Sequence, residues 1–168
     1  MNAEQLIKVK APAISWLYRI VLIIACVLAA TTVPTTGVMG IIILIAFLIV
    51  TVLVFEYYNA EIEYSFYEDV LSVDRIMGKT TRRHMGSYAF SRAKLVAYAD
   101  SEEAMRLQHS NVHTYDYLGR LSDREVVVCY VYDDATNEEV RLYIEPDEKI
   151  LEAIKETVAE SAYKISEK

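Results

Sequence analysis

The stretch Ile20–Phe55, IVLIIACVLAATTVPTTGVMGIIILIAFLIVTVLVF, carries no charged side chain. Wound as one helix at 1.5 Å per residue it would run about 54 Å. The hydrocarbon core of a bilayer is about 30 Å thick. The run is therefore read as two spans, Ile14–Val33 and Val38–Phe55, with a turn inside Thr31–Gly37. Pro34 lacks an amide hydrogen and restricts Val33, while Gly37 relaxes the backbone. Ala25 and Ala29 in the first span, and Gly37 and Gly40 at the start of the second, would let the two helices pack closely.

The flanks set the boundary and the side. Trp16, Tyr18, Tyr57 and Tyr58 read as an aromatic belt at one interface, with Arg19 reaching the same headgroup level. Lys8, Lys10 and Arg19 flank the first span, and the connecting turn has no basic residue. The positive-inside rule then places both termini in the cytoplasm of a multi-pass cell-membrane protein. Two processed forms compete with this reading. The first span could be a cleaved signal peptide, and Ile23–Cys26 resembles a lipoprotein box. Only a short apolar segment separates Arg19 from Cys26, however, and the apolar run continues beyond it. The organisation expected is a cytoplasmic segment over residues 1–13, a transmembrane hairpin over 14–57 and a cytoplasmic domain over 58–168.

The chain has a net charge of −7, and three of its cations lie before the apolar run. The domain that follows is thus more acidic than the whole, which argues against nucleic acid as partner. Cys26 and Cys129 are too differently placed for a disulfide framework, in keeping with a cytoplasmic domain.

The domain reads as mostly strands. Ala60–Phe66 alternates, with Ile62, Tyr64 and Phe66 on one face. Val70–Met77 follows after a turn and completes a hairpin. Thr80–Phe90 and Ala93–Ala99 are further strands. Asp100 with Glu103 forms a capping box for a short helix. Gln108–Arg124 reads as a polar loop. Glu125–Tyr132 is apolar on both faces and should be a central strand. Val140, Leu142 and Ile144 alternate with Arg141 and Tyr143 in a partner strand. From about residue 146 an amphipathic helix is expected. It starts with Pro146, buries Ile150, Leu151, Ile154 and Val158, and has Lys164 and Lys168 near its far end. The fold class is α+β: a two-helix transmembrane hairpin, then an antiparallel β-barrel or sandwich of pleckstrin-homology-like outline, closed by a C-terminal helix.

Glu61–Phe66 (EIEYSF), Leu71–Arg83 (LSVDRIMGKTTRR) and Ile144–Lys155 (IEPDEKILEAIK) resemble an uncharacterised family of small bacterial membrane proteins. Its members have a two-helix membrane hairpin followed by a cytoplasmic domain related to bacterial pleckstrin-homology modules. The resemblance implies an architecture and no mechanism.

Arg75, Lys79, Arg82, Arg83, Arg92 and Lys94 follow one another without an intervening acid. They are a candidate patch for the anionic inner leaflet or a partner, weighed against a solvated strand face balanced by nearby acids. His109 and His113 would share a helix face as metal ligands, but Ser110-Asn111-Val112 is not helical in pattern, so a polar loop is the reading. Cys129 reads as a core thiol. With no G-x-S-x-G, C-x-x-C or glycine-rich phosphate loop, no catalytic, cofactor-binding or metal-binding residue is assigned and no cofactor is expected. The function expected is a non-enzymatic, membrane-anchored interaction module. Its partners would be the lipid bilayer and either another protein or a second copy of itself. The alternatives are an accessory subunit of a transporter or envelope assembly, recognised through its hairpin, and an enzyme with an unrecognised site. Clustering of His84, His109, His113 and Cys129 would favour the last.

Overall fold

The computed structural model describes residues 2–78, 81–120 and 124–165. The chain divides into two compact units, one of Lys10–Ala60 with Met77–Thr81, the other of Met1–Val9, Glu61–Ile76 and Arg82–Lys168.

The first unit is a helical hairpin. Helix α1 covers Ile14–Thr36 and α2 covers Val38–Tyr58, both long and apolar enough to cross a membrane. Nearly all their large apolar side chains are exposed, unlike those of a core helix. Both helices outrun the expected spans, and Pro34 lies inside α1 rather than in the turn. The four threonines around it are satisfied within the helix. Thr31 donates to the Leu28 carbonyl (2.7 Å), Thr32 to that of Ala29 (2.8 Å), and Thr35 and Thr36 to that of Thr32 (2.8 Å each). These hydroxyls thus find partners inside the helix and need none from lipid.

Gly37 alone makes the turn, with φ 59° and ψ −129°, and its amide donates to Val33 (2.9 Å). That dihedral pair suits glycine and few other residues. A Cβ on Gly40 would come within 2.9 Å of the Val33 Cα, so the close approach of the helices depends on its absence. Ala29 is buried in the same seam. Further along, Cys26 Sγ lies 3.4 Å from Thr51 Oγ1.

The second unit is an eight-stranded sheet with two helices. Its strands are β1 Ala3–Lys8, β2 Ala60–Tyr67, β3 Val70–Met77, β4 Thr81–Ala89, β5 Leu95–Tyr98, β6 His113–Asp116, β7 Val127–Asp133 and β8 Glu139–Ile144. The order is β1-β2-β3-β4-β7-β8-β6, and β5 pairs with β7 off that path. The β6–β8 pair is parallel, whereas β1–β2, β4–β7, β5–β7 and β7–β8 are antiparallel.

Two strands fall where no element was expected. The N-terminal segment forms β1, paired with β2 from Ala3↔Phe66 to Lys8↔Glu61. Its pattern is concealed because Gln5 points inward and Leu6 outward. Strand β6 lies inside the stretch read as a loop. It is a short, polar, largely exposed strand with nothing apolar to announce it.

The remaining expectations hold in outline. Ile62, Tyr64 and Phe66 are buried, as are Val127 to Val131 on both faces of β7. Val127, Cys129 and Val131 join the main core with Leu142, Ile144 and the helix residues Ile150 and Ile154. Val128 and Tyr130 pack on the other face with Leu95, Ala97 and Ala104. Helix α3, Glu102–Leu107, is capped by Ser101, whose hydroxyl accepts from Ala104 N (3.2 Å), one residue later than Asp100. Helix α4, Glu148–Thr157, is capped by Asp147, which accepts from Ile150 N (2.9 Å), so Pro146 precedes the cap. Lys155 occupies its last turn. Lys164 lies beyond the helix, where its amide donates to Val96 (2.8 Å). Lys168 lies outside the described residues.

Buried polar contacts join β1 to the segment that follows β8. Gln5 Nε2 donates to the Glu145 carbonyl (2.9 Å), and the Asp147 amide donates to Gln5 Oε1 (2.7 Å). Gln5→Ala would leave both backbone groups without this partner, a loss of about 1–3 kcal/mol. Amide exchange in β2 and α4 should quicken by tenfold or more; unchanged exchange would remove Gln5 from this role.

Candidate interaction site

The basic run of the sequence separates by partner. Arg75 lies on β3 and is half-buried, Arg82 and Arg83 are exposed on β4, and Lys79 lies outside the described residues. Arg82 is held by Glu63 of β2, with Nη1 2.6 Å from Oε2 and Nη2 3.2 Å from Oε1. Asp74 Oδ2 is 3.9 Å away. Arg92 and Lys94 are held elsewhere, around the β7–β8 turn. Arg92 donates to Asn137 Oδ1 (2.6 Å) and lies over the Tyr132 ring at 4.9 Å. Lys94 pairs with Glu139, and that hydrogen bond holds its ammonium above the usual lysine range. The Lys94–Glu139 pair is open to solvent and screened by it, so it adds little to stability. Arg83 is exposed with no acid paired to it among the described contacts, whereas Arg92, also without an acid, is held by Asn137 and Tyr132.

In the hairpin, the aromatic and cationic residues gather at one end. Tyr18 stacks on Tyr58 at 6.5 Å, and Tyr57 meets Tyr58 edge-on at 5.3 Å. Arg19 donates to Asn59 Oδ1 (3.1 Å) and lies over Phe55 at 4.9 Å. Trp16 is 69% exposed. Gly78 (φ 59°) belongs to the same unit, and a Cβ there would meet the Glu56 carboxyl at 2.9 Å.

His84, His109, His113 and Cys129 do not come together. His84 lies on β4 against Asp74, with Nδ1 2.8 Å from Oδ1. His109 follows α3, and His113 on β6 packs against Tyr115 at 4.6 Å. Cys129 is buried in β7, where burial pushes its thiol up and away from a reactive thiolate. Among the described residues no three His, Cys, Asp or Glu side chains are grouped to hold a metal ion.

Two polar arrangements escaped sequence reasoning. Arg141 was read as an outward strand residue, yet it is buried beneath α3. Its Nη2 donates to the carbonyls of Leu107 (3.0 Å), Gln108 (2.9 Å) and Ser110 (3.2 Å), and it lies 5.1 Å over Tyr130. It closes the C-terminal end of α3, as a cation there should. The second is a tyrosine network. Tyr64 donates to the Tyr117 carbonyl (2.7 Å) and accepts from the Glu145 amide (3.3 Å), and the Tyr88 and Tyr117 hydroxyls pair. Burial pushes the phenols of Tyr64, Tyr88 and Tyr117 upward, so they stay protonated hydrogen-bonding groups. Both arrangements organise the packing of the domain.

No curated protein and no solved structure matches the chain. A family model described as "Bacterial PH-like domain (DUF6106)" matches residues 1–164. Strand β1, the hairpin, the sheet and α4 all fall within that span, and the chain belongs to this family of bacterial PH-like domains.

Proposed function

We propose that the hairpin anchors this protein in a cell membrane and that the PH-like domain works there as an interaction module, a role that needs no chemical step. The observation that carries the reading is the insertion of α1 and α2 between two strands that pair with each other. Lys8 pairs with Glu61, so the chain leaves and re-enters the β1–β2 ladder at one end. Both ends of the hairpin therefore belong on one side of the membrane. A cleaved leader would also carry β1 away from the sheet, which weighs against processing of α1. Lys8, Lys10 and Arg19 favour the cytoplasmic side.

The membrane surface is the partner these features favour. Gly78 lies against Glu56 near the end of α2, and Arg82 and Arg83 follow within a few residues of chain. Each basic side chain held near an anionic leaflet contributes roughly 1 kcal/mol.

Topology is checked with a membrane-impermeant thiol reagent on intact cells, after replacing Cys26 and Cys129. A cysteine placed at Thr35 should react and one at Asn137 should not; the reverse pattern refutes the orientation. For the surface contact, the full chain is reconstituted into anionic and zwitterionic nanodiscs. Amides at the start of β4 should exchange more slowly in the anionic discs. Arg83→Gln should erase much of that difference while Arg92→Gln leaves it intact. Equal exchange in both lipids would remove the surface reading.

A second reading has one observation behind it. An apolar cleft of about 670 Å³ opens on the hairpin beside Val21, Leu22, Val50 and Leu53, with Tyr18, Tyr57 and Tyr58 around it. A membrane partner recognised there would make the protein an accessory subunit. Replacing both spans with unrelated ones would abolish co-purification in that case and spare it if the domain is the contact.

A further inference from the structure

Asp74, His84 and Ser87 form a connected chain on the face of β3 and β4. His84 Nδ1 is 2.8 Å from Asp74 Oδ1, and His84 Nε2 is 3.3 Å from Ser87 Oγ. Ser87 Oγ is in turn 3.1 Å from Ser72 Oγ. An ionised carboxylate only accepts, so Asp74 takes the Nδ1 proton and Nε2 keeps the lone pair. Ser87 then donates its hydroxyl proton to Nε2, and Ser72 donates to Ser87. This is the order of nucleophile, base and orienting carboxylate that activates a serine.

The local backbone departs from strand regularity to make it. His84 and Ser87 are three residues apart, and regular alternation would put them on opposite faces. They meet across Met85-Gly86. At Gly86 a Cβ would fall 2.8 Å from the buried Tyr88 ring, so a side chain there would have to displace that ring. The carboxylate is available as well. Arg82 is 2.6 Å from Glu63 but 3.9 Å from Asp74, and it leaves Oδ1 to the imidazole. The His84 side chain is 59% exposed and that of Asp74 23%, so the base is open to solvent while its orienting partner is shielded.

We propose that Ser87 is an activated nucleophile competent for acyl transfer from small activated carboxylic esters, with His84 as its base and Asp74 as a positioning residue. Ser87 Oγ forms a bond to the ester carbonyl carbon as its proton passes to His84 Nε2. The bond to the leaving alkoxide breaks, and that oxygen takes the proton from His84. The products are an O-acyl Ser87 and an alcohol. The inference stands on side-chain geometry alone and is independent of the membrane reading.

A biotinylated fluorophosphonate tests it on the full chain in detergent. The serine oxygen forms a bond to phosphorus, and fluoride leaves with the proton. Peptide mapping should find the label on Ser87 in native protein and find none in heat-denatured protein. Ser87→Ala should abolish the label. His84→Asn and Asp74→Asn should slow it by about a hundredfold at an unchanged melting temperature. Asp74→Glu should restore most of the rate, and Ser72→Ala should retain labelling at Ser87. Absence of label on the native protein would overturn the proposal. So would equal labelling after denaturation, or a rate indifferent to His84 and Asp74.

Discussion

The pairing of β1 with β2 constrains everything else in this chain. These strands are neighbours in the sheet but are separated in sequence by the whole hairpin. With the hairpin in a membrane, as proposed, their ladder requires the chain to cross and return, an even number of passes. A hairpin of two tightly turned helices is the shortest way to meet it. Gly37 and Gly40 supply the turn and the close approach.

Within the sheet the same strand sets the polar accounting. Burying Gln5 would cost free energy if its amide were unpaired. Both of its ends are paired, to Glu145 and Asp147. Asp147 in turn caps α4, whose Ile150 and Ile154 fill the core. The N-terminal strand, the cap and the core helix are thereby linked through one side chain. Tyr64 extends the connection to Tyr117 and Glu145. Arg141 does the same work on the opposite face, where α3 covers a smaller apolar cluster.

Periodicity explains which parts were legible in the sequence. The hairpin carries an unbroken apolar run, and β2, β3, β7, β8 and α4 carry apolar patterns that largely match their burial, so they could be read locally. Strand β1 could not, because its inward Gln5 and outward Leu6 invert the usual code. Strand β6 is a mostly exposed parallel partner of β8 in which Tyr115 alone packs against the core, too little to make a period. The basic run was visible as a run, but only pairing shows that Arg82 answers to Glu63 and Lys94 to Glu139. The Asp74–His84–Ser87 chain was out of reach for a related reason. It depends on the juxtaposition of β3 and β4 and on a departure from alternation at Gly86, neither of which a period-2 reading contains.

Arg82 decides how the β3–β4 face can be used. The Glu63 side chain is 15% exposed, so stripping it of its guanidinium would leave a largely buried carboxylate unpaired. That costs more than breaking a surface pair. A headgroup phosphate in water competes poorly for Arg82 on those terms. Arg83, exposed and next in the chain, has no acid paired to it among the described contacts, which suits the proposed meeting with an anionic surface. Arg82 meanwhile stays on Glu63 and keeps its distance from Asp74. The carboxylate is then left to orient His84, and surface attraction and the Ser87 relay can coexist on one strand pair without drawing on the same charge.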